Sequence, residues 1–269
     1  MVTDQTARLL LKQMLTAAIS AADPSICLPS FLPSPPTGKT IVLGAGKAGA
    51  RMAETVEAQW KGPISGLVIV PYGYRSSCKD IEIVEASHPI PDDNGYEAAR
   101  RILALAGTAV ADDLVLCLMS GGGSALMSLP IAGLMLHEKA SLNSQLLRSG
   151  ADIAEINCVR KHLSSIKGGH LAAAAKPART VTLLISDVPG DDPSVIASGP
   201  TIPDSTTFSD ALAVLEKYGI EQPIAALKLL NQGKVETLKP DNDCFRNCET
   251  HIIATPQMSL QAAAEVANR

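Results

Sequence analysis

Apolar residues along the chain follow two patterns. Short runs rich in Val, Ile and Leu predict strands, which we place at residues 40–43, 66–70, 81–86, 114–119, 181–186 and 250–254. Stretches with apolar residues at helical spacing predict helices, which we place at about 47–60, 95–107, 138–149, 152–167, 208–218 and from 259 onward. This alternation predicts an α/β fold of the Rossmann-like, doubly wound type, with a mostly parallel sheet covered by helices on both faces.

The N-terminal segment is apolar enough to be compared with a signal peptide. Lys12 and Gln13 interrupt its leucines, however, so the spacing favours an amphipathic surface helix. No uninterrupted apolar stretch elsewhere is long enough to cross a bilayer. We therefore expect a cytoplasmic protein with no membrane partner.

Composition narrows the class of partner. The chain has 269 residues, a formal net charge of -4 and 3% aromatic residues, so it has neither the basic stripe nor the stacking platforms of a nucleic-acid-binding protein. Its six cysteines form no CxxC pair, and the cluster of Cys244, Cys248 and His251 fits no standard zinc spacing. A small acidic substrate remains compatible with this composition.

The first predicted strand runs into a glycine loop. In TIVLGAGKAG, residues 40–49, the glycines at 44, 46 and 49 match the dinucleotide-binding fingerprint. Two features depart from that fingerprint, because Lys47 lies inside the loop and the residues PYGYR after Val70 include no acid to hold a ribose. The loop is therefore open to two interpretations, a pyrophosphate loop or a loop whose lysine handles a carboxylate or a phosphate.

The fourth strand also ends in glycines. The candidate phosphate-binding residues there are Ser120, Gly121, Gly122, Gly123 and Ser124. Consecutive glycines can turn several backbone N–H groups toward one anion, and the two flanking hydroxyls would add donors. The alternative is a tight strand-to-helix turn with no ligand.

The fifth strand is followed by carboxylates. Asp187, Asp191 and Asp192 come directly after the apolar run TLLIS. Mg²⁺ favours one or two carboxylates together with phosphate oxygens and water, so we predict Asp187 and Asp192 as metal ligands, with turn formation as the alternative. Because the carboxyl ends of parallel strands meet at one edge, we expect residues 44–49, 120–124 and 187–192 to lie together.

The helix predicted at 152–167 has a polar face beside its apolar stripe. Asn157, Arg160, Ser164 and Lys167 follow one another at steps of three, four and three, which places two cations and two hydrogen-bonding groups on that face. A solvated face is the alternative. His88 and His162 could act as general bases, although a lone histidine is more often a structural hydrogen-bonding group.

Taken together, these motifs resemble one family, the glycerate 2-kinases that carry a C-terminal MOFRL lobe. The resemblance rests on GAGKAG, SHPIPDDNG, SGGGSAL, NCVRKHLSSIKGGHLA and SDVPGDDPSVIASGPTIPD, which occur in that order. It implies ATP- and Mg²⁺-dependent phosphorylation of D-glycerate to 2-phosphoglycerate, with D-glycerate and a nucleotide as the partners.

In this interpretation, Lys47 and Arg160 are the catalytic cations. Substrate or phosphate would be bound by Gly44, Gly46, the residues from Ser120 to Ser124, Asn157 and Lys167, and the metal by Asp187 and Asp192.

The sequence departs from this family at its end. Members continue through a second lobe with a GGRNQE-like motif, which this sequence does not reach. We therefore expect residues 1–240 to form the N-terminal lobe and residues 241–269 to begin a further βα unit, and we expect the chain alone to bind ligands weakly and to have little kinase activity.

Two other functions stay open, an NAD(P)H-dependent hydroxypyruvate reductase and a non-catalytic binder of a small hydroxy acid. Homo-oligomerisation is also left open.

Overall fold

A parallel sheet forms the centre of the molecule. The computed structural model describes residues 4–234 and 236–268. The strands within that part are β1 (Thr40–Ala45), β2 (Ile64–Pro71), β3 (Ile81–Ala86), β4 (Leu114–Met119), β5 (Arg179–Ile185) and β6 (Cys248–Ala254). They lie in the order β3-β2-β1-β4-β5-β6, and every neighbouring pair is parallel. This arrangement confirms the predicted doubly wound sheet, whose strand order reverses between β1 and β4.

The helices lie mostly where the apolar spacing predicts them. In chain order they are α1 (Asp4–Ala21), α2 (Pro24–Cys27), α3 (Gly49–Gln59), α4 (Asp93–Ala106), α5 (Gly123–Leu126), α6 (Leu136–Arg148), α7 (Ile153–His162), α8 (His170–Ala175), α9 (Phe208–Lys217), α10 (Ile224–Asn231) and α11 (Pro256–Ala267). No helix among the described residues is long and apolar enough to cross a membrane.

The helix predicted at 152–167 is too long. It ends as α7 at His162, because Leu163 leaves the helical conformation with φ −98° and ψ 30°. Ser164 then forms an antiparallel bridge with Pro130. Leu163 and Ile166 are still buried, so the apolar spacing continues into a turn that is not helical.

Two hydrophobic cores lie on opposite faces of the sheet. Successive residues of a strand point to opposite faces, so Leu43 shares one core with Ile102 of α4 while Val42 shares the other with Val56 of α3. Strands covered on both sides are buried along their whole length, as β1 and β4 are. This burial explains why their sequences are continuous apolar runs rather than alternating ones.

A third core lies among helices alone. It joins α6, α7, α9 and α10 through buried residues such as Leu146, Val159, Leu215 and Leu230. This helical layer was not foreseen from the sequence. Toward the end of the chain, β6 pairs with β5 in the main sheet and α11 packs against α1.

The glycines of the first loop are needed where β1 meets its neighbours. A Cβ added at Gly44 would lie 2.4 Å from the carbonyl oxygen of Leu118, and one added at Gly46 would lie 2.1 Å from Ser120 Oγ and 2.6 Å from the Ser120 carbonyl oxygen. Gly49 has a similar constraint, since its Cβ would lie 2.8 Å from Val68. All three positions are therefore explained by close packing on β4 and β2.

We expect Gly46→Ala to destabilise the fold strongly. Gly46 combines a φ of +140° with the backbone clash at Ser120, whereas Gly62 has a φ of +131° and nothing within 4 Å of its added Cβ. Gly62→Ala therefore measures the conformational cost alone, on the order of 1 kcal/mol, while Gly46→Ala should cost at least about 2 kcal/mol more. Urea unfolding of the two variants measures the difference, and equal costs would contradict the packing role of Gly46.

Candidate active site

Three strand ends meet at one edge of the sheet. The loops after β1 and β4 touch at Gly46 and Ser120, and a Cβ added at Gly121 would lie 2.0 Å from a carboxylate oxygen of Asp187. Asp187 lies two residues after the end of β5. The expected meeting of the three segments is confirmed, and it lies where the strand order reverses, which is the usual ligand position in such sheets.

The first loop has no free amide to offer an anion. Its four backbone N–H groups donate within the protein as follows: Gly46 to Ile69 O, Lys47 to Gly121 O, Ala48 to Ser120 Oγ and Gly49 to Gly46 O. A pyrophosphate loop of a dinucleotide-binding protein needs such amides to face the ligand. The glycine spacing therefore matches the fingerprint without presenting its chemistry.

The second loop presents the open amides. Within the described residues, the N–H groups of Gly121 and Gly122 have no protein acceptor. Gly122 has a left-handed φ of +86°, so the two amides form a concave nest of the kind that binds anions. Lys47 is exposed beside it, with its Cε 3.6 Å from the position that a Cβ on Gly122 would take.

His88 lies against the same nest. Its Nε2 is 3.0 Å from the position of a Cβ on Gly122. Burial lowers the pKa of His88, the positive charge of Lys47 lowers it further, and Asp187 opposes both effects. The imidazole is therefore neutral at pH 7 and can accept a proton.

A pocket separates the nest from the helical layer. It encloses about 290 Å³, close to the lower end of the volumes found for small-molecule sites. The nest side contributes His88, Gly122 and Ser124 to its walls, and the helical side contributes Ala140, Asn143 and Arg160.

Arg160 brings an unpaired positive charge to this pocket. Its Nε donates to Asn143 Oδ1 at 3.3 Å, and no carboxylate in the described part of the chain forms an ion pair with it. Burial lowers the pKa of its guanidinium, although the group stays charged because that pKa is ordinarily above 12. A half-buried cation without a counter-charge favours a bound anion.

Two further lysines are buried near Arg160. Lys167 Nζ donates to Met127 O at 2.6 Å and Lys139 Nζ donates to Leu163 O at 2.6 Å, yet neither lysine meets a carboxylate among the residues described. Burial lowers the pKa of Lys167 to about 7, with Arg160 as the second cause. Burial also lowers the pKa of Lys139 well below its usual value, helped by the charges of Lys167 and Arg160.

The other predicted residues fall in different places. Asp187 is exposed and its carboxylate accepts no hydrogen bond within the described chain, whereas Asp192 uses Oδ1 to accept the N–H of Ser194 at 2.8 Å. Lys167 does not line the pocket, and Gly44 is paired inside the sheet. No group of three His, Cys, Asp or Glu side chains suited to a metal occurs in residues 4–234 and 236–268.

Sequence reasoning missed Lys139 and Ser198. Lys139 lies one and two helical turns before Leu142 and Leu146, which are buried on the same face of α6, and this spacing is the signal that could have revealed it. Ser198 is buried beside Ser124 and Asn157 through a left-handed turn that no simple pattern announces. His162 does not belong to this site, because its Nε2 lies 2.9 Å from the Glu236 carboxylate in a separate network.

Known proteins resemble the chain over almost its whole length. Residues 10–231 match the family described as Domain of unknown function (DUF4147). The chain is 49% identical over 265 residues to a protein of Agrobacterium vitis named for hydroxypyruvate reductase, a match that covers 98% of this chain and 60% of the relative. It is 42% identical over 257 residues to the D-glycerate 2-kinase of Thermotoga maritima, which covers 95% of this chain and 60% of the relative.

Solved structures agree with the fold. A crystal structure of glycerate kinase from Thermotoga maritima is similar with a TM-score of 0.87 and 40% sequence identity, covering 98% of this chain and 63% of that one. A Pyrococcus horikoshii protein is similar with a TM-score of 0.86 and 37% identity over the same shares. The chain thus spans about 60% of the length of these curated relatives.

The low pKa of Lys167 predicts a pH-dependent stability. Below about pH 7 both the folded and the unfolded chain carry this proton, but between about 7 and 10.5 only the unfolded chain does. The unfolded chain then binds more protons, so the free energy of unfolding should rise with pH across that window. In Lys167→Met this rise should become shallower by a few kcal/mol across the window, with Lys139 retaining part of it.

Chemical unfolding at several pH values between 6 and 10 measures this effect. Lys228 is exposed on α10, so Lys228→Met should keep the pH profile of the original chain. An unchanged profile in Lys167→Met would show that Lys167 stays protonated when buried.

Proposed function

The chain belongs to the DUF4147 family, and from its similarity to glycerate kinases we propose that it supplies the hydroxy-acid and phosphate site of a glycerate 2-kinase. The reaction is transfer of the γ-phosphoryl group of ATP to the 2-hydroxyl of D-glycerate. An O–P bond to the 2-hydroxyl oxygen forms, the bond between the γ-phosphorus and its bridging oxygen breaks, and ADP leaves. The 2-hydroxyl proton passes to a base.

One observation carries this proposal: two cations without carboxylate partners, Arg160 and Lys47, lie at a pocket beside two open backbone amides. Arg160 lines the pocket, Lys47 flanks the nest, and Lys139 and Lys167 are buried behind Arg160 in the same electrostatic cluster. Phosphoryl transfer depends mainly on positioning and on stabilising the negative charge of the transferring group. The charges of Arg160 and Lys47, with two buried lysines that a bound anion would help to keep protonated, favour that chemistry.

The residues divide into roles by position. Lys47 and the Gly121 and Gly122 amides hold the transferring phosphoryl group, and Arg160 holds the substrate carboxylate at the other wall. Asn157, only 3% exposed, supports this wall from α7. Neutral His88 faces the nest and accepts the 2-hydroxyl proton. Gly44 and Gly46 act by shaping the first loop.

Asp187 is suited to hold Mg²⁺. Its carboxylate is exposed next to Gly121 and makes no hydrogen bond within the described residues, so both oxygens are available. Mg²⁺ needs only one or two carboxylates when phosphate oxygens and water complete its shell, which fits a site without three protein ligands. When bound, the ion would neutralise charge on the phosphate oxygens. Asp192 is the second predicted ligand, through the oxygen that Ser194 does not use.

The geometry favours a kinase over a reductase. A nicotinamide dinucleotide would need amides in the first loop, and all four are occupied by protein acceptors. It would also use an acid after β2, where the chain continues with Tyr72, Gly73, Tyr74 and Arg75. Incubation with ATP, Mg²⁺ and D-glycerate, and separately with NADH and hydroxypyruvate, distinguishes the two reactions. NADH oxidation without formation of 2-phosphoglycerate would overturn the proposal.

Loss of either cation should weaken anion binding. We expect Lys47→Met and Arg160→Met each to lower the affinity for 2-phosphoglycerate by at least about tenfold and to reduce kcat/KM by a factor on the order of a hundred or more wherever turnover is measurable. Lys39→Met is the matched control, because Lys39 is an exposed lysine just before β1, whereas Lys47 lies just after it. Isothermal titration calorimetry measures the affinities. Unchanged binding in both variants would show that Lys47 and Arg160 are solvated side chains that do not bind the ligand.

Asp187→Asn should raise the Mg²⁺ concentration needed for half-maximal nucleotide binding by about tenfold or more. The amide keeps the size of the carboxylate but removes the charge that attracts the ion. Titration with Mg²⁺ at constant ATP gives this concentration, and Asp80→Asn, an exposed aspartate before β3, serves as control. An unaltered titration would leave Asp187 as a turn residue.

A further inference from the structure

A chain of hydrogen bonds runs from the pocket into the protein. Ser124, which lines the pocket, has its Oγ 2.8 Å from Ser198 Oγ, and Ser198 Oγ donates to Asn157 Oδ1 at 3.1 Å. Ser198 is fully buried and Asn157 is 3% exposed, so neither exchanges these partners for solvent. The chain therefore has a fixed inner end and one outer end, at Ser124.

The chemistry of the inner end sets the direction of every bond. A carbonyl oxygen only accepts, so the single proton of the Ser198 hydroxyl is used on Asn157 Oδ1. Ser198 Oγ must then accept from Ser124, whose own proton is spent in this bond. Both lone pairs of Ser124 Oγ are left unused by this chain, and because Ser124 lines the pocket it presents an acceptor there.

Acceptors are few at this pocket, and neutral His88 is already assigned to the reacting 2-hydroxyl. The guanidinium of Arg160, the ammonium of Lys47 and the amides of Gly121 and Gly122 are all donors. These groups bind carboxylate and phosphate oxygens, whereas Ser124 can only receive a hydrogen bond. It therefore suits a ligand O–H group.

The backbone holds Ser198 firmly in place. Ala197 and Ser198 have left-handed φ values of 52° and 59°, and Ala197 packs on Gly123, where an added Cβ would lie 2.9 Å away. The carbonyl of Ser198 also accepts the N–H of Gly168 at 3.2 Å. Strained backbone of this kind persists only where the surroundings enforce it, and here it places the Ser198 hydroxyl between Ser124 and Asn157.

We propose that Ser124 selects the substrate by accepting a hydrogen bond from its non-reacting 3-hydroxyl, with Ser198 as the positioning residue. The inner end of the chain is a neutral amide, which cannot take up a proton, so this chain orients a hydroxyl that keeps its proton and does not deprotonate the reacting one. The ligand class is a 2,3-dihydroxy acid. This inference rests on the proposed function, because it assigns the second hydroxyl of D-glycerate.

The test compares D-glycerate with D-lactate, which has the same carboxylate and 2-hydroxyl but lacks the 3-hydroxyl. Calorimetry on the unaltered chain should show D-glycerate binding about tenfold more tightly, the ratio expected for one hydrogen bond to a fixed acceptor. In Ser124→Ala the ratio should fall to within about twofold, through weaker binding of D-glycerate. In Ser198→Ala the ratio should fall as well, since the Ser124 proton is then free to turn toward the pocket, while the affinity for inorganic phosphate should not change.

Ser165→Ala is the matched control. Its hydroxyl is also part-buried and donates to a backbone carbonyl, that of Pro130 at 3.1 Å, but it does not line the pocket. The Ser165→Ala variant should lose about as much stability as Ser124→Ala, and it should keep the ratio of D-glycerate affinity to D-lactate affinity. Tight binding of D-glycerate with an unchanged ratio in Ser124→Ala would overturn this inference alone. No binding of D-glycerate by the unaltered chain would overturn the proposed function and this inference together.

Discussion

The close approach of the β1 loop to the β4 loop determines what the rest of the site can do. Gly46 lies against Ser120 so closely that even a methyl group would overlap it, and the amides of Lys47 and Ala48 donate into the β4 loop. This packing uses up the donors that a glycine loop would otherwise offer an anion. The open amides lie instead in the β4 loop, at Gly121 and Gly122.

The same packing explains why positive side chains matter here. Two amides carry only partial charges, so a site for a phosphate or a carboxylate needs full charges close by. Arg160 and Lys47 are the full charges beside the pocket, and Arg160 stays charged although burial lowers its pKa. Burial and the charge of Arg160 lower the pKa values of Lys139 and Lys167, so these two lysines hold their protons more firmly when an anion is bound nearby. Such a cluster costs stability in the absence of an anion, and a bound anion offsets part of that cost.

The sheet could be predicted from sequence because its strands are buried on both faces and therefore appear as apolar runs. The limits of this reasoning are physical. The helix at 152–167 was placed too long since Leu163 and Ile166 keep an apolar spacing through a turn that tertiary packing imposes. The glycine spacing fits a fingerprint, yet these glycines serve strand packing, which a sequence does not distinguish from ligand binding. Lys139 escaped notice because a lysine is normally expected at the surface.

The electrostatics of the pocket also bear on the direction of chemistry at the 2-position of a hydroxy acid. Reducing a keto group there requires a donor that supplies a proton, whereas phosphorylating a hydroxyl requires an acceptor that removes one. Burial and the nearby charge of Lys47 lower the pKa of His88, so at neutral pH the imidazole is in its neutral form, which has a nitrogen free to accept a proton and no extra proton to supply. Lys47, the cation that lowers this pKa, would also stabilise the negative charge of a transferring phosphoryl group. Within the proposed function, one arrangement of charge therefore keeps the base neutral and favours the group that the reaction transfers.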